Sequence, residues 1–156
     1  MAVTVLAALP EAPELDVKIL ATDIDPRILE EAREGAYADD AIEPVPPSLR
    51  GIYFRRTAMG VQRPWRVSDE VRSLVAFREL NLIGDWPMRG RFDVIFCRNV
   101  VIYFDEPTQE QVWSRFIPKM NPGASLCIGH SERLAGPAAS RFVSAGLTTY
   151  VLGAGA

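Results

Sequence analysis

Residues 93–104 read Asp-Val-Ile-Phe-Cys-Arg-Asn-Val-Val-Ile-Tyr-Phe, an apolar run broken by a polar pair at Arg98 and Asn99. The stretch before Arg98 is too short, and too rich in β-branched and aromatic residues, to be a buried helix, so it reads as a strand. Evenly apolar strands belong to covered, mostly parallel sheets, and open α/β sheets bind their ligands at the carboxyl ends of such strands. Arg98, Asn99 and Tyr103 follow this strand directly, which marks its carboxyl end as the place for any chemistry.

The remaining segments alternate in the same manner. Residues 15–22 carry a short apolar strand that ends in Thr22-Asp23-Ile24-Asp25. Asp25 is a good N-cap and Pro26 suits the first helical position, with Ile28, Leu29 and Ala32 on one face and Gly35 as the stop. Residues 36–48, with Pro44, Pro46 and Pro47, are expected to form a loop with at most one helical turn. Residues 51–56 and 64–67 read as hairpin strands joined through Gly60, and Ser68 opens a short helix. Residues 74–80 form a further strand leading into Asn81 and Leu82. After the strand at 92–97, Asp105-Glu106-Pro107-Thr108 opens a helix whose apolar stripe is Val112, Trp113, Phe116, Ile117 and Met120, ended by Asn121-Pro122-Gly123. Residues 124–128 are a buried strand, and residues 141–145 and 148–152 pair antiparallel about Gly146. The pattern predicts an α/β fold: a parallel sheet with an antiparallel terminal hairpin, helices on both faces, and a small β-hairpin insertion at about 51–67.

A chain of 156 residues, 48% hydrophobic and 24% charged, fits one soluble domain over 1–156. Its net charge of -3 argues against a nucleic-acid partner, which leaves a basic footprint. The apolar start breaks at Pro10, far short of a membrane span and without a basic leader, and reads as a helix over residues 1–9. Cys97 and Cys127 sit in strand-like runs with no zinc-ligand spacing, as reduced core thiols of a cytoplasmic protein would.

Several side chains could carry chemistry. Asp23, after a strand and two residues before an N-cap, can accept two hydrogen bonds from a ribose diol, although an Asp there also serves as a turn residue. Asn81 and Leu82 could meet the edge and face of a heterocycle, or the Asn could satisfy loop backbone. Arg98, Asn99 and Tyr103 suit an anionic substrate and a zwitterionic cofactor, the alternative being an ion-paired Arg and a core-packed Tyr. His130, the only histidine, reads as structural or as part of a substrate rim rather than as the base of a His-Ser pair. Arg50, Arg55, Arg56, Arg63 and Arg66, interleaved with Tyr53, Phe54 and Trp65, form either a docking face for an acidic partner or a solvated hairpin.

These motifs resemble the CheR-type chemotaxis receptor methyltransferases: Ala21-Thr22-Asp23-Ile24-Asp25, Tyr53-Phe54, Leu80-Asn81-Leu82, Phe92 to Val100, Ile102-Tyr103-Phe104-Asp105 and Gly129-His130-Ser131-Glu132. The resemblance runs from about Met1 to Leu152 and implies a Rossmann-like class I sheet. It implies transfer of a methyl group from S-adenosylmethionine to glutamate side chains of methyl-accepting chemotaxis receptors or related signalling proteins. By it Asp23 would hold the cofactor ribose, Asn81 and Leu82 the adenine, and Arg98 and Asn99 the methionine end. Tyr103 would flank the methyl, with Arg98 beside it in a catalytic role, and residues 130–132 would look onto the substrate side. The hairpin corresponds to a β-subdomain that tethers receptor tails in some members, but the glycine-rich loop of those members is largely absent. Members also begin with a helical domain and a first, central strand with a glycine-rich loop. This sequence starts after both, so the domain is expected to be incomplete, with that strand missing and the piece inactive alone. Two other readings stand beside this one: a non-catalytic receptor-docking module of the same fold, and a nicotinamide-dependent oxidoreductase that uses Asp23 on its ribose.

Overall fold

A computed structural model of the chain describes residues 1–57 and 64–153. It divides into two compact units, Met1–Asn81 and Leu82–Ala156.

In the first unit, helix α1 (Ala2–Ala8) buries Ala2 and Leu6 and a 3-10 turn follows at Ala12–Glu14. Strand β1 (Ile19–Asp23) then leads into helix α2 (Pro26–Glu34). The helix is delimited by its own sequence. Asp25 caps it by accepting the Arg27 N–H at 2.8 Å, and Gly35 closes it in the left-handed conformation at φ 61°. Ile28 is 50% exposed, however, and only Leu29 is buried: the two neighbours stand 100° apart, and Leu29 takes the inward position. An alanine at Gly35 would need a positive φ and would set its Cβ 2.7 Å from Val67 Cγ1. Gly35→Ala is therefore expected to cost at least about 1–2 kcal/mol, read as a lower denaturation midpoint at constant slope.

The proline-rich stretch is more ordered than its composition implies. Strand β2 (Ala36–Tyr37), helix α3 (Asp39–Ile42) and helix α4 (Pro47–Tyr53) follow one another, with Pro47 in the first turn of α4, where its missing N–H costs nothing. Residues 51–53, expected in a strand, thus belong to a helix. Strand β3 (Phe54–Arg56) and strand β4 (Trp65–Val67) pair antiparallel, and β2 joins the other side of β4. The expected turn at Gly60, and Arg63, lie outside the described residues. Helix α5 (Asp69–Ser73), capped by Ser68, returns the chain to strand β5 (Val75–Glu79), which pairs parallel with β1 from Ile19↔Val75 to Asp23↔Glu79. Leu6, Ile42, Val67 and Leu74 form the core of this unit.

In the second unit, strand β6 (Phe92–Cys97) is followed by a 3-10 turn at Val101–Tyr103 and helix α6 (Glu106–Phe116). Asp105 caps α6 by accepting the Thr108 N–H at 3.0 Å. The helix stops at Phe116, earlier than Asn121-Pro122-Gly123 suggests. Pro118 has no N–H for the helical ladder, so the chain closes in a 3-10 turn at Ile117–Lys119, and Met120 already begins strand β7 (Met120–Ile128). Helix α7 (Gly136–Ala139) precedes strand β8 (Phe142–Ser144) and strand β9 (Thr149–Leu152). The sheet order is β6-β7-β9-β8, parallel between β6 and β7 and antiparallel beyond, as the terminal hairpin predicts. Cys97, Val101, Val112, Trp113, Phe116, Leu126 and Ile128 cluster on one face of this sheet. On the alternate positions Val94 is 48%, Phe96 52% and Val143 65% exposed, so within this unit, among the described residues, helices pack on one face of the sheet.

The fold is mixed α/β with parallel pairs and an antiparallel edge, a Rossmann-like arrangement with a small β insertion. Among the described residues β1 and β6 are both edge strands, in a two-stranded and a four-stranded sheet respectively.

Candidate functional site

Each unit presents polar side chains at the carboxyl ends of a parallel strand pair. In the first unit Asp23 closes β1, and the N–H of Leu80, just past β5, donates to the Asp23 carbonyl at 2.9 Å, which brings Asn81 to the same edge. Asp23 is half-buried and has a structural duty that spacing alone does not reveal: its Oδ1 accepts the Asp25 N–H at 2.9 Å. Its Oδ2 has no partner among the described residues. Asn81 is exposed.

In the second unit Leu82 packs partly buried against the core, and its carbonyl accepts Trp86 Nε1 at 3.2 Å and Arg115 Nη1 at 2.9 Å. The guanidinium of Arg115 also lies 4.3 Å above the Trp86 ring, which fixes this connection against α6. Parallel register sets Cys97 beside Ile128, so Arg98 and Asn99 emerge next to Gly129 and His130. Arg98 donates Nε to the Ile128 carbonyl at 3.2 Å, and its Nη2 lies 3.4 Å from His130 Nδ1. No ion pair engages this arginine among the described residues. Tyr103 is 80% exposed, which rules out the core-packed alternative for its ring. His130 is exposed and meets Arg98, and among the described residues no hydrogen bond joins it to Ser131.

Glu132 departs from the expectation that residues 130–132 face a substrate. It is the single buried charged residue among those described, at 5% exposure. Its Oε1 accepts the N–H groups of Val100 at 2.9 Å and Val101 at 3.1 Å, and its Oε2 accepts the Gly129 N–H at 2.5 Å. The sequence holds little signal for this, because the donors are all main-chain groups and two of the three lie in a loop 31 and 32 residues earlier. Asn99, whose side chain abuts Gly129, has a positive φ of 59°, a conformation asparagine tolerates better than most residues.

The arginines of the β insertion are largely tied to their own scaffold. Arg50 donates to the Glu43 and Val45 carbonyls, Arg55 to Gly51, and Arg66 to Glu34. Arg56 stacks 5.6 Å from the Trp65 ring, while Trp65 Nε1 donates to Asp39 at 2.8 Å. Tyr53 and Phe54 are buried, so this surface matches the solvated-hairpin alternative better than a free basic face.

Burial, reinforced by the Glu132 charge, pushes the Cys97 thiol up to about 12 from an ordinary 9.0. Between those values an unfolded chain releases a proton that the folded chain keeps. Stability should fall as pH rises through this window, by up to about 1.4 kcal/mol per pH unit. Unfolding curves of the protein and of Cys97→Ala between pH 8 and 11 should diverge by that slope, and iodoacetamide should label Cys127 long before Cys97.

Taken unit by unit, the residue chemistry is compatible with parts of a zwitterionic nucleoside: the first unit offers a carboxylate oxygen that could accept from a diol and an amide that could meet a purine edge, and the second a guanidinium that could meet an anionic group. Among the described residues no cluster of three or more His, Cys, Asp or Glu could hold a metal, and no helix is long and apolar enough to cross a membrane.

A family model described as the CheR methyltransferase, SAM-binding domain, matches residues 1–151. A probable chemotaxis protein methyltransferase of Rhizobium etli is 51% identical over 150 residues, which cover 96% of this chain and 56% of that protein. Chemotaxis protein methyltransferase 2 of Pseudomonas aeruginosa is 42% identical over 136 residues, covering 86% of this chain and 48% of its own length. The Escherichia coli chemotaxis protein methyltransferase is 39% identical, with 86% and 47% covered. The chain thus spans about half the length of these curated relatives.

Proposed function

This chain belongs to the CheR methyltransferase family, whose S-adenosylmethionine-binding domain it carries, and on that premise we propose that it serves methylation of glutamate side chains on chemoreceptors. When bound, S-adenosylmethionine offers a methyl carbon on a sulfonium, to which a glutamate oxygen bonds as the carbon–sulfur bond breaks and its electron pair stays on sulfur. A glutamate carboxylate is already ionised at neutral pH, so this chain's side chains have to bind and align rather than remove a proton. Alignment of two reactants is worth on the order of 7–11 kcal/mol in well-oriented systems.

In this reading Asp23 holds the ribose through the oxygen that its turn leaves over, and Asn81 and Leu82 take the adenine. Arg98 and Asn99 hold the methionine end, and the exposed ring of Tyr103 flanks the methyl. The observation that supports the proposal is that, in each unit taken by itself, these residues lie at or just past the carboxyl end of a parallel strand pair, β1–β5 for Asp23 and Asn81 and β6–β7 for Arg98 and Asn99, where α/β sheets bind ligands. The domain is read as one S-adenosylmethionine-dependent unit, with the β insertion at about 51–67 as its accessory part, and the partners as methyl-accepting chemotaxis receptors in the cytoplasm.

Calorimetry with S-adenosylmethionine and with a nicotinamide dinucleotide separates this reading from an oxidoreductase. Affinity for the sulfonium compound alone supports it, and affinity for the dinucleotide alone overturns it. Methyl-ester formation on a receptor signalling domain, assayed with a labelled methyl group, then tests the substrate.

A further inference from the structure

We infer that Glu132 is a positioning residue that holds the Arg98-to-Tyr103 loop in its ligand-ready backbone conformation. Only the identity of the ligand rests on the methyltransferase reading. A carboxylate withdrawn from water is costly unless hydrogen bonds replace its hydration, and Glu132 has no salt-bridge partner among the described residues. Main-chain donors supply the replacement. Val100 and Val101 come from the loop after β6 and Gly129 from the loop after β7, so a single side chain ties two strand ends together. The Glu132 N–H also donates to the Gly129 carbonyl at 3.1 Å, which closes its own turn and aims the carboxylate inward.

The effect of this tie falls on Asn99. Its positive φ stands immediately before the two N–H groups that Oε1 grips, so the left-handed turn that sets the directions of Arg98 and Asn99 is fixed from its carboxyl side. Gly129 makes the junction tight. A Cβ there would overlap Asn99 Oδ1 and lie 2.8 Å from Glu132 Oε2 and 3.0 Å from the Asn99 nitrogen. The arrangement has no slack for the loop to slide along β7. A carboxylate whose three hydrogen bonds all go to backbone, two of them on the loop bearing the candidate ligand groups, acts through that loop and not on the ligand.

The test is Glu132→Gln, nearly isosteric, which sets an amide NH2 against at least one of the three N–H groups. Loss of a charged acceptor predicts at least about tenfold faster amide exchange at Val100, Val101 and Gly129, shifted Asn99–Val101 resonances, and unchanged protection at Leu126. S-adenosylhomocysteine affinity, measured well below the melting temperature, should fall about tenfold or more. Glu132→Asp, which keeps the charge on a shorter arm, should recover part of both effects. A lower melting temperature with unchanged affinity and unchanged loop resonances would make Glu132 a structural residue only and overturn the inference. If the exchange pattern appears as stated while the unsubstituted chain binds no S-adenosylmethionine, the positioning role stands and the methyltransferase reading falls.

Discussion

Asp23→Asn is expected to weaken S-adenosylhomocysteine binding by about 10- to 100-fold while leaving the melting temperature nearly unchanged, because hydrogen bonds to a charged acceptor are worth about 1.5–3 kcal/mol. The substitution separates the two duties of this side chain. Oδ1 accepts the Asp25 N–H, and an asparagine carbonyl can do the same, so the turn that leads into α2 survives. What disappears is the second anionic oxygen, the group proposed to receive a ribose hydroxyl. Asp23→Ala would remove the turn acceptor as well, and its loss of affinity could not be assigned to either duty. Calorimetric titration together with a thermal melt reads both quantities. Unchanged affinity in the asparagine variant would show that Asp23 serves the turn alone, and the proposed cofactor site would lose its ribose anchor.

The parts of this fold that were legible in the sequence are those written in local chemistry. Asp25, Ser68 and Asp105 each cap the helix expected of them, Gly35 stops α2, and the apolar run before Arg98 is the strand it reads as. The misread parts depend on distant partners. Ala36 and Tyr37 form a strand of two residues only because β4 lies alongside them. The prolines near residue 45 punctuate two short helices rather than forbid them, since Pro47 sits in a first turn. Asn121-Pro122-Gly123 looks like a turn but lies inside β7, where Pro118 has already ended the helix and β6 shifts register between Phe92 and Val94. The candidate site divides in the same way. Its exposed groups follow from strand–loop position, whereas the Glu132 carboxylate, bound only to backbone donors, leaves little trace in residue type or spacing.

Trp113→Ala is expected to cost about 3–5 kcal/mol, a large share of the 5–15 kcal/mol that holds an ordinary domain together. Trp113 is fully buried, at the centre of the cluster that joins α6 to β6, β7 and β9. Its ring lies 6.0 Å from Phe116, which in turn lies 5.2 Å from Trp86, so truncation would open a cavity beneath a chain of aromatic contacts. Trp113→Phe should behave very differently. The indole Nε1 is buried without a hydrogen-bond partner among the described residues, and such an orphan donor costs about 1–3 kcal/mol. Phenylalanine removes that donor along with some packing volume, and the two terms oppose each other. The phenylalanine variant should therefore lose less than half of what the alanine variant loses, a difference measurable by urea unfolding with Trp65 and Trp86 as the remaining fluorophores. Equal losses would mean that the indole nitrogen makes a stabilising hydrogen bond, through water or through motion of α6, whose loss outweighs the packing that a phenyl ring keeps.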